Sequence, residues 1–230
     1  TVFDPAQKKL YDSQLVRMKN LINMTSQEDF NKNRMKILAD ITRLRQICCD
    51  PSLIVEDYKG ESAKRELLME LIEEAVDGGH KMLVFSQFTS MLELIQADLD
   101  EKGIPYYLIT GATPKKKRLD LVSAFNENDV PVFLISLKAG GTGLNLVGAD
   151  VVIHYDPWWN AAAENQATDR AHRIGQKSKV SVYKLIVRDT IEEKIVKMQQ
   201  EKQDLADEIL NGEGTSFFNL SKDELLYLLQ

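Results

Sequence analysis

Cysteine is scarce in this chain: Cys48 and Cys49, side by side, are the only two in 230 residues. Adjacent thiols match neither a redox nor a zinc C-x-x-C spacing, so both are expected as reduced thiols in or near a helical core. Histidine is as sparse. His80, His154 and His172 lack the H-x-x-x-H spacing of a metal site and are read as non-ligands. No Ser-His-Asp or Cys-His nucleophile set stands out. No apolar run approaches the roughly 18 residues that suggest a membrane span. The opening Thr1-Val2-Phe3-Asp4-Pro5 has neither the basic start nor the apolar stretch of a signal peptide. An intracellular protein is expected, and the missing initiator methionine suggests a fragment of a longer one. Positive charge is not in excess either. The net charge is -6 and the pI about 5.2, so any nucleic-acid site must be a local patch. Internal repeats and low-complexity tracts are absent.

What is present is ordinary globular composition, 43% hydrophobic and 28% charged. Residues 5–50 read as two helices, with Leu10, Leu15, Met18, Leu21 and Ile22 on one stripe and Ile37, Ile41, Leu44 and Ile47 on another. Thr25-Ser26-Gln27 is the expected break, and Asp50-Pro51 the stop, because the residue before proline leaves helical geometry. Residues 1–50 carry nine Lys/Arg against six Asp/Glu. From residue 61 strands and helices alternate. Strands are expected at Lys81–Phe85, Tyr106–Ile109, Val132–Ser136, Val151–Tyr155 and Val180–Val187. Helices are expected at Ser62–Val76, Thr89–Lys102, Lys115–Phe125 and Ala161–Arg173. The alternation implies a parallel sheet covered by helices on both faces. Ligands of such sheets bind outside the carboxyl ends of the strands, which points to the loops after Phe85, Ile109, Ser136 and Tyr155. Thr190–Leu210 reads as one long amphipathic helix and Lys222–Leu229 as a short one.

Four segments on that rim could carry chemistry. Lys138-Ala139-Gly140-Gly141-Thr142-Gly143 is glycine-dense enough for backbone N–H groups to face an anion, or it is simply a tight turn. It is neither a P-loop nor a G-x-G-x-x-G loop. Tyr155-Asp156-Pro157-Trp158-Trp159-Asn160 holds both tryptophans. Neighbours in sequence cannot both face one core layer, so one is expected near the surface or a partner, unless the pair is a packing wedge. Gln166, Arg170 and Arg173 fall on one face of the expected 161–173 helix. Two close arginines suit phosphate oxygens, or they are solvated and salt-bridged to Asp169 or Glu164. Lys115-Lys116-Lys117-Arg118 opens a helix, where amides and dipole favour phosphate, or it is a solubilising surface.

Taken together these segments resemble the second-lobe motifs of Swi/Snf-type helicase-like ATPases of superfamily two. Lys81–Phe88 resembles motif four, Gly111–Arg118 the short motif after it, Ser136–Asn145 motif five, and Asp169–Gln176 motif six in a form nearly private to this family. Arg43–Pro51 resembles the family's linker into this lobe. The match covers nearly the whole chain, in order. It implies a RecA-like α/β lobe, with a helical protrusion and linker at 1–60, the core at 61–189 and a brace helix with tail at 190–230. Arg170 and Arg173 would meet ATP phosphates held, with Mg²⁺, mainly by a first lobe. Gln166 would position the nucleotide or couple it to DNA, and Gly143 and Asn145 would border it. Ser86, Gln87, Thr113, Lys115, Arg118, Lys138, Gly140, Gly141, Thr142, Trp158 and Trp159 would face double-stranded DNA.

The family's P-loop and Asp-Glu-x-His box occur nowhere in this chain, so the lobe alone is expected to be inactive. Ala161 stands where many relatives have proline. The brief tail after the brace resembles bacterial members, which implies a nucleoid-associated cytoplasmic protein; a eukaryotic one would be nuclear. The expected whole is a DNA-dependent ATPase that moves along duplex DNA, with a DNA-bound protein complex as its remodelling target. A strand-separating helicase lobe and a non-catalytic protein-interaction module are the alternatives.

Overall fold

The computed structural model describes residues 1–139, 143–172, 176, 178–208 and 220–230, and of Lys138 and residues 202–208 the backbone alone. In chain order the described elements are α1 (Pro5–Met24), α2 (Gln27–Lys32), α3 (Arg34–Cys49), α4 (Ala63–Asp77), β1 (Met82–Ser86), α5 (Thr89–Glu101) and β2 (Tyr106–Ile109). They continue with α6 (Lys115–Glu127), β3 (Val132–Ser136), β4 (Val151–His154), α7 (Ala161–Thr168), β5 (Ser181–Lys184), α8 (Ile191–Glu208) and α9 (Lys222–Leu228). They cluster into two compact units.

One unit comprises Arg65–Asp156 and Ala162–Leu185. Its sheet is parallel throughout, in the order β2-β3-β1-β4-β5, flanked by helices. β1 and β3 are buried along their whole length, as the unbroken apolar runs Met82–Phe85 and Val132–Ile135 require of strands covered on both faces. The connection after β1 leaves toward β2, and the one after β4 leaves toward β5, on the other side. The chain therefore reverses its winding between β1 and β4, and such a switch point opens a crevice at the carboxyl ends of the two strands.

The other unit comprises Thr1–Lys64, Pro157–Ala161 and Ile186–Gln230. Asp4 caps α1, its carboxylate accepting from the amides of Ala6 and Gln7, with Pro5 in the first turn. α1 pairs with α3, and Tyr11, Met18, Ile22, Ile41 and Leu44 close a core against Ile191 and Ile195 of α8. Cys48 and Cys49 are buried at the end of α3, and burial pushes the Cys48 thiol pKa up. At the start of α8, the amide of Ile191 donates to Tyr11 Oη at 2.7 Å and that of Glu192 to Thr190 Oγ1 at 3.2 Å. Lys64 and Glu192 form a fully buried ion pair at 2.7 Å. The second carboxylate oxygen of Glu192 accepts from the Val187 amide at 3.1 Å.

Several expected elements differ, and the strand expected to reach Val187 ends at Lys184. A short helix, α2, fills the break after residue 24. The helix expected over 161–173 stops at Thr168, because the amides of Arg170 and Ala171 turn back to carbonyls three residues earlier, Ala167 and Thr168. A turn tightened in this way ends the 3.6-residue period.

Candidate functional site

The crevice between β1 and β4 is organised by a carboxylate. Asp156 is buried two residues beyond β4. It accepts from Ser86 Oγ at 2.6 Å and Gln87 Nε2 at 2.5 Å, and from the Gln87 amide at 3.3 Å. Ser86 Oγ in turn accepts from the Phe88 amide at 3.1 Å. The loop after β1 is thus shaped from below. Ser86 lies fully buried, and Gln87 is half-buried with its amide on Asp156. Ser86 has 0% exposure and shapes the loop from within. Asp156 escaped the sequence reading, although register held the signal. Phe85 of β1 faces His154 of β4, which carries the next two residues of each strand toward one another.

The loop after β2 folds around its own arginine. Arg118 donates to the carbonyls of Thr113 at 2.7 Å, Gly111 at 3.1 Å and Thr110 at 3.3 Å. Thr113 Oγ1 accepts from the Thr110 amide at 3.0 Å. Both side chains hold the loop. Lys115, Lys116 and Lys117 stay exposed at the first turn of α6. Pro114 precedes them with no side-chain cap, so the free amides of that turn add to the lysine field.

Gly140, Gly141, Thr142, Arg173 and the Lys138 side chain lie outside the described residues. Beyond that gap Gly143 is exposed at φ +53°, a left-handed conformation that glycine adopts without strain. Asn145 is exposed, and its carbonyl accepts from Asn126 Nδ2 at 2.8 Å. Asn126 Oδ1 accepts from the Gly148 amide at 2.9 Å. A Cβ on Gly148 would lie 3.2 Å from the Asn126 backbone, a tight contact that glycine avoids. On the other flank the Leu146 amide donates to the Arg170 carbonyl at 2.9 Å. Gln176 Nε2 faces the carbonyls of Ala149 at 2.6 Å, Val147 at 3.1 Å and Ala171 at 3.2 Å.

Gln166 and Arg170 do not share a face as the helical spacing predicts. Gln166 is exposed, whereas Arg170, past the end of α7, is 2% exposed. Beneath α7, His154 Nε2 meets Thr168 Oγ1 at 2.8 Å, and its ring stacks on Phe85 with centroids 5.5 Å apart. Burial lowers the His154 pKa to about 4, against the opposing pull of Glu164; Lys184 lowers it further. Glu164 is buried and paired with Lys184.

The tryptophans belong to the other unit. Trp158 is 2% exposed, and its carbonyl accepts from Gln199 of α8. A buried indole packs as a wedge of this unit. Trp159 is half-buried beneath Arg45, whose guanidinium sits 5.1 Å from the ring centroid while donating to the Pro157 carbonyl.

Residues 63–175 match the helicase conserved C-terminal domain. The solved C-terminal domain of the Sulfolobus solfataricus SWI2/SNF2 ATPase superposes with a TM-score of 0.77 at 33% identity, covering 98% of this chain and 93% of that one. The chain belongs to the SWI2/SNF2 ATPase family. Its sheet and flanking helices are the family's RecA-like C-terminal lobe. The S. solfataricus SWI2/SNF2 core solved in complex with double-stranded DNA gives a TM-score of 0.80 at 35% identity, covering 99% of this chain and 48% of that one. A Mycoplasma pneumoniae protein named as an uncharacterized ATP-dependent helicase is 41% identical over 228 residues, 99% of this chain and 22% of its own length. The chain spans about a fifth of the curated relatives it matches, 22%, 21% and 23% for three of them. No described helix of this SWI2/SNF2 lobe is long and apolar enough to cross a membrane.

Proposed function

We propose that this chain is the C-terminal motor lobe of an ATP-dependent translocase that moves along double-stranded DNA. The observation that carries the reading is the likeness, over the whole chain, to a core solved with duplex DNA. ATP binds a first lobe, and closure draws Arg170, buried in this lobe on its own, to the nucleotide together with Arg173. Arginines delivered from a second domain stabilise the charge spreading over the transferred phosphoryl oxygens, an effect worth about 10³–10⁵ in rate. Gln166 is exposed at the edge of that turn to position the nucleotide, with Gly143 and Asn145 on the facing rim. In this reading Mg²⁺ is held with the ATP, mainly by the first lobe. The isolated lobe is expected to be inactive. Residues 61–189 are the motor core in this reading, 1–60 its helical protrusion and linker, and 190–230 its brace and tail.

DNA is gripped through phosphates. Lys115 and its neighbours supply cations at the start of α6, and Gln87 and Thr113 shape the loops beside them. Lys138, Gly140, Gly141 and Thr142 complete the grip, with Trp159 as a further DNA-facing residue. A phosphate grip is sequence-tolerant and weakens with salt by about 0.9 in log–log slope for each phosphate neutralised. Duplex affinity of the two-lobed protein, measured against salt, tests this. Replacing Lys115, Lys116 and Lys117 by alanine lowers the slope by about 1 or more. An unchanged slope removes this helix from the interface. Displacement of a triplex third strand without unwinding of the duplex separates translocation from strand separation.

A further inference from the structure

Gln176 closes the family's sixth motif in sequence, yet the phosphate chemistry assigns it nothing to do. Its side chain is half-buried and bonded at both ends. The amide nitrogen faces three carbonyl oxygens, Ala149 at 2.6 Å, Val147 at 3.1 Å and Ala171 at 3.2 Å, and Oε1 accepts from the Ser178 amide at 2.9 Å. Two of those carbonyls belong to the loop that runs from Gly143 to β4, and the third to the turn that follows Arg170. The Leu146 amide joins the same two segments by donating to the Arg170 carbonyl at 2.9 Å. A third restraint comes from α6, where Asn126 holds the Asn145 carbonyl and the Gly148 amide.

We infer that Gln176 is a positioning residue: its amide splints the 143–149 loop to the Arg170–Ala171 turn, so that the nucleotide-bordering rim and the turn carrying Arg170 move as one piece when the lobes close. The residue type follows from the geometry. A cluster of carbonyl oxygens needs an N–H donor without a full charge, with an acceptor at the other end for Ser178. Glutamine supplies both. Glutamate has the same shape but sets a carboxylate against three carbonyl dipoles, which repel it and favour its protonated form. The inference rests on the arginine reading of the proposed function, because a splint matters to turnover only if the turn it holds meets the nucleotide.

The test uses the full two-lobed protein with saturating duplex DNA, comparing Gln176→Glu and Arg173→Ala with the unmutated chain from pH 8 to pH 6. The glutamate variant is expected to lose about tenfold in kcat at pH 8, with duplex affinity within about twofold of the unmutated protein. Its rate relative to that protein should climb as pH falls, because a protonated carboxyl regains one donor; a merely structural defect has no such pH profile. If the glutamate chain does not fold, Gln176→Met removes the donors without adding charge and should show the same kcat loss at retained duplex affinity. A glutamate variant that turns over normally, or one whose deficit follows lost DNA binding at a pH-independent ratio, overturns the splint. Those outcomes bear on the splint alone while Arg173→Ala still collapses the rate. An Arg173→Ala protein with full activity sinks the arginine reading and the splint together.

Discussion

Asp156 accepts from Ser86 Oγ and from both nitrogens of Gln87. Asparagine there would turn an N–H toward one of those donors and leave a buried polar group without its bond. Asp156→Asn is expected to destabilise the chain by about 1–3 kcal/mol, read as a lower urea midpoint at unchanged slope. His154 gives a pH signature. Its pKa of about 4 in the fold lies below the ordinary value of 6.5. Between those values the unfolded chain binds more protons, so this residue's contribution to stability is complete above 6.5 and is lost progressively as pH falls toward 4. The slope from this one imidazole reaches about 1.4 kcal/mol per pH unit. Urea unfolding from pH 7 to 5 should show it, and His154→Gln, which keeps a donor for Thr168 but does not titrate, should flatten it. At this scale the sequence was only partly legible. The motif residues could be singled out, but whether Ser86 and Trp158 face inward or outward depends on partners far along the chain, Asp156 and Gln199. Only tertiary register brings those together.

At the scale of elements, the apolar runs that mark β1 and β3 were readable because strands covered on both faces need little beyond hydrophobicity. Helix ends were harder. α7 ends five residues before the expected Arg173, at a turn set by bonds within 167–171 that periodicity does not encode. The joint between Lys64 and Glu192 had no signal in the sequence either, since the two lie 128 positions apart. It leads to a double-mutant prediction. Both side chains have 0% exposure. Removing one partner strands a buried charge and should cost about 3–5 kcal/mol. Replacing both, as Lys64→Met with Glu192→Leu, should restore most of that loss, because a well-packed apolar pair often matches a buried ion pair. Urea unfolding of the four chains measures the cycle. An additive result would mean that the two residues act independently.

For the whole molecule, fold and family were legible because the motifs recur in order along a chain with strict strand–helix alternation. Net charge pointed away from nucleic acid, and only local cations such as Lys115–Lys117 keep that reading open. The central claim is that this lobe completes an ATP site by supplying arginines to a nucleotide held elsewhere in the polypeptide. The most direct measurement is the steady-state ATPase rate of the two-lobed protein, with and without duplex DNA, for the unmutated chain and for Arg173→Ala. The account predicts a DNA-stimulated rate that falls by about 10³-fold or more in the variant, with folding and duplex affinity retained. A rate indifferent to both DNA and Arg173 would contradict it.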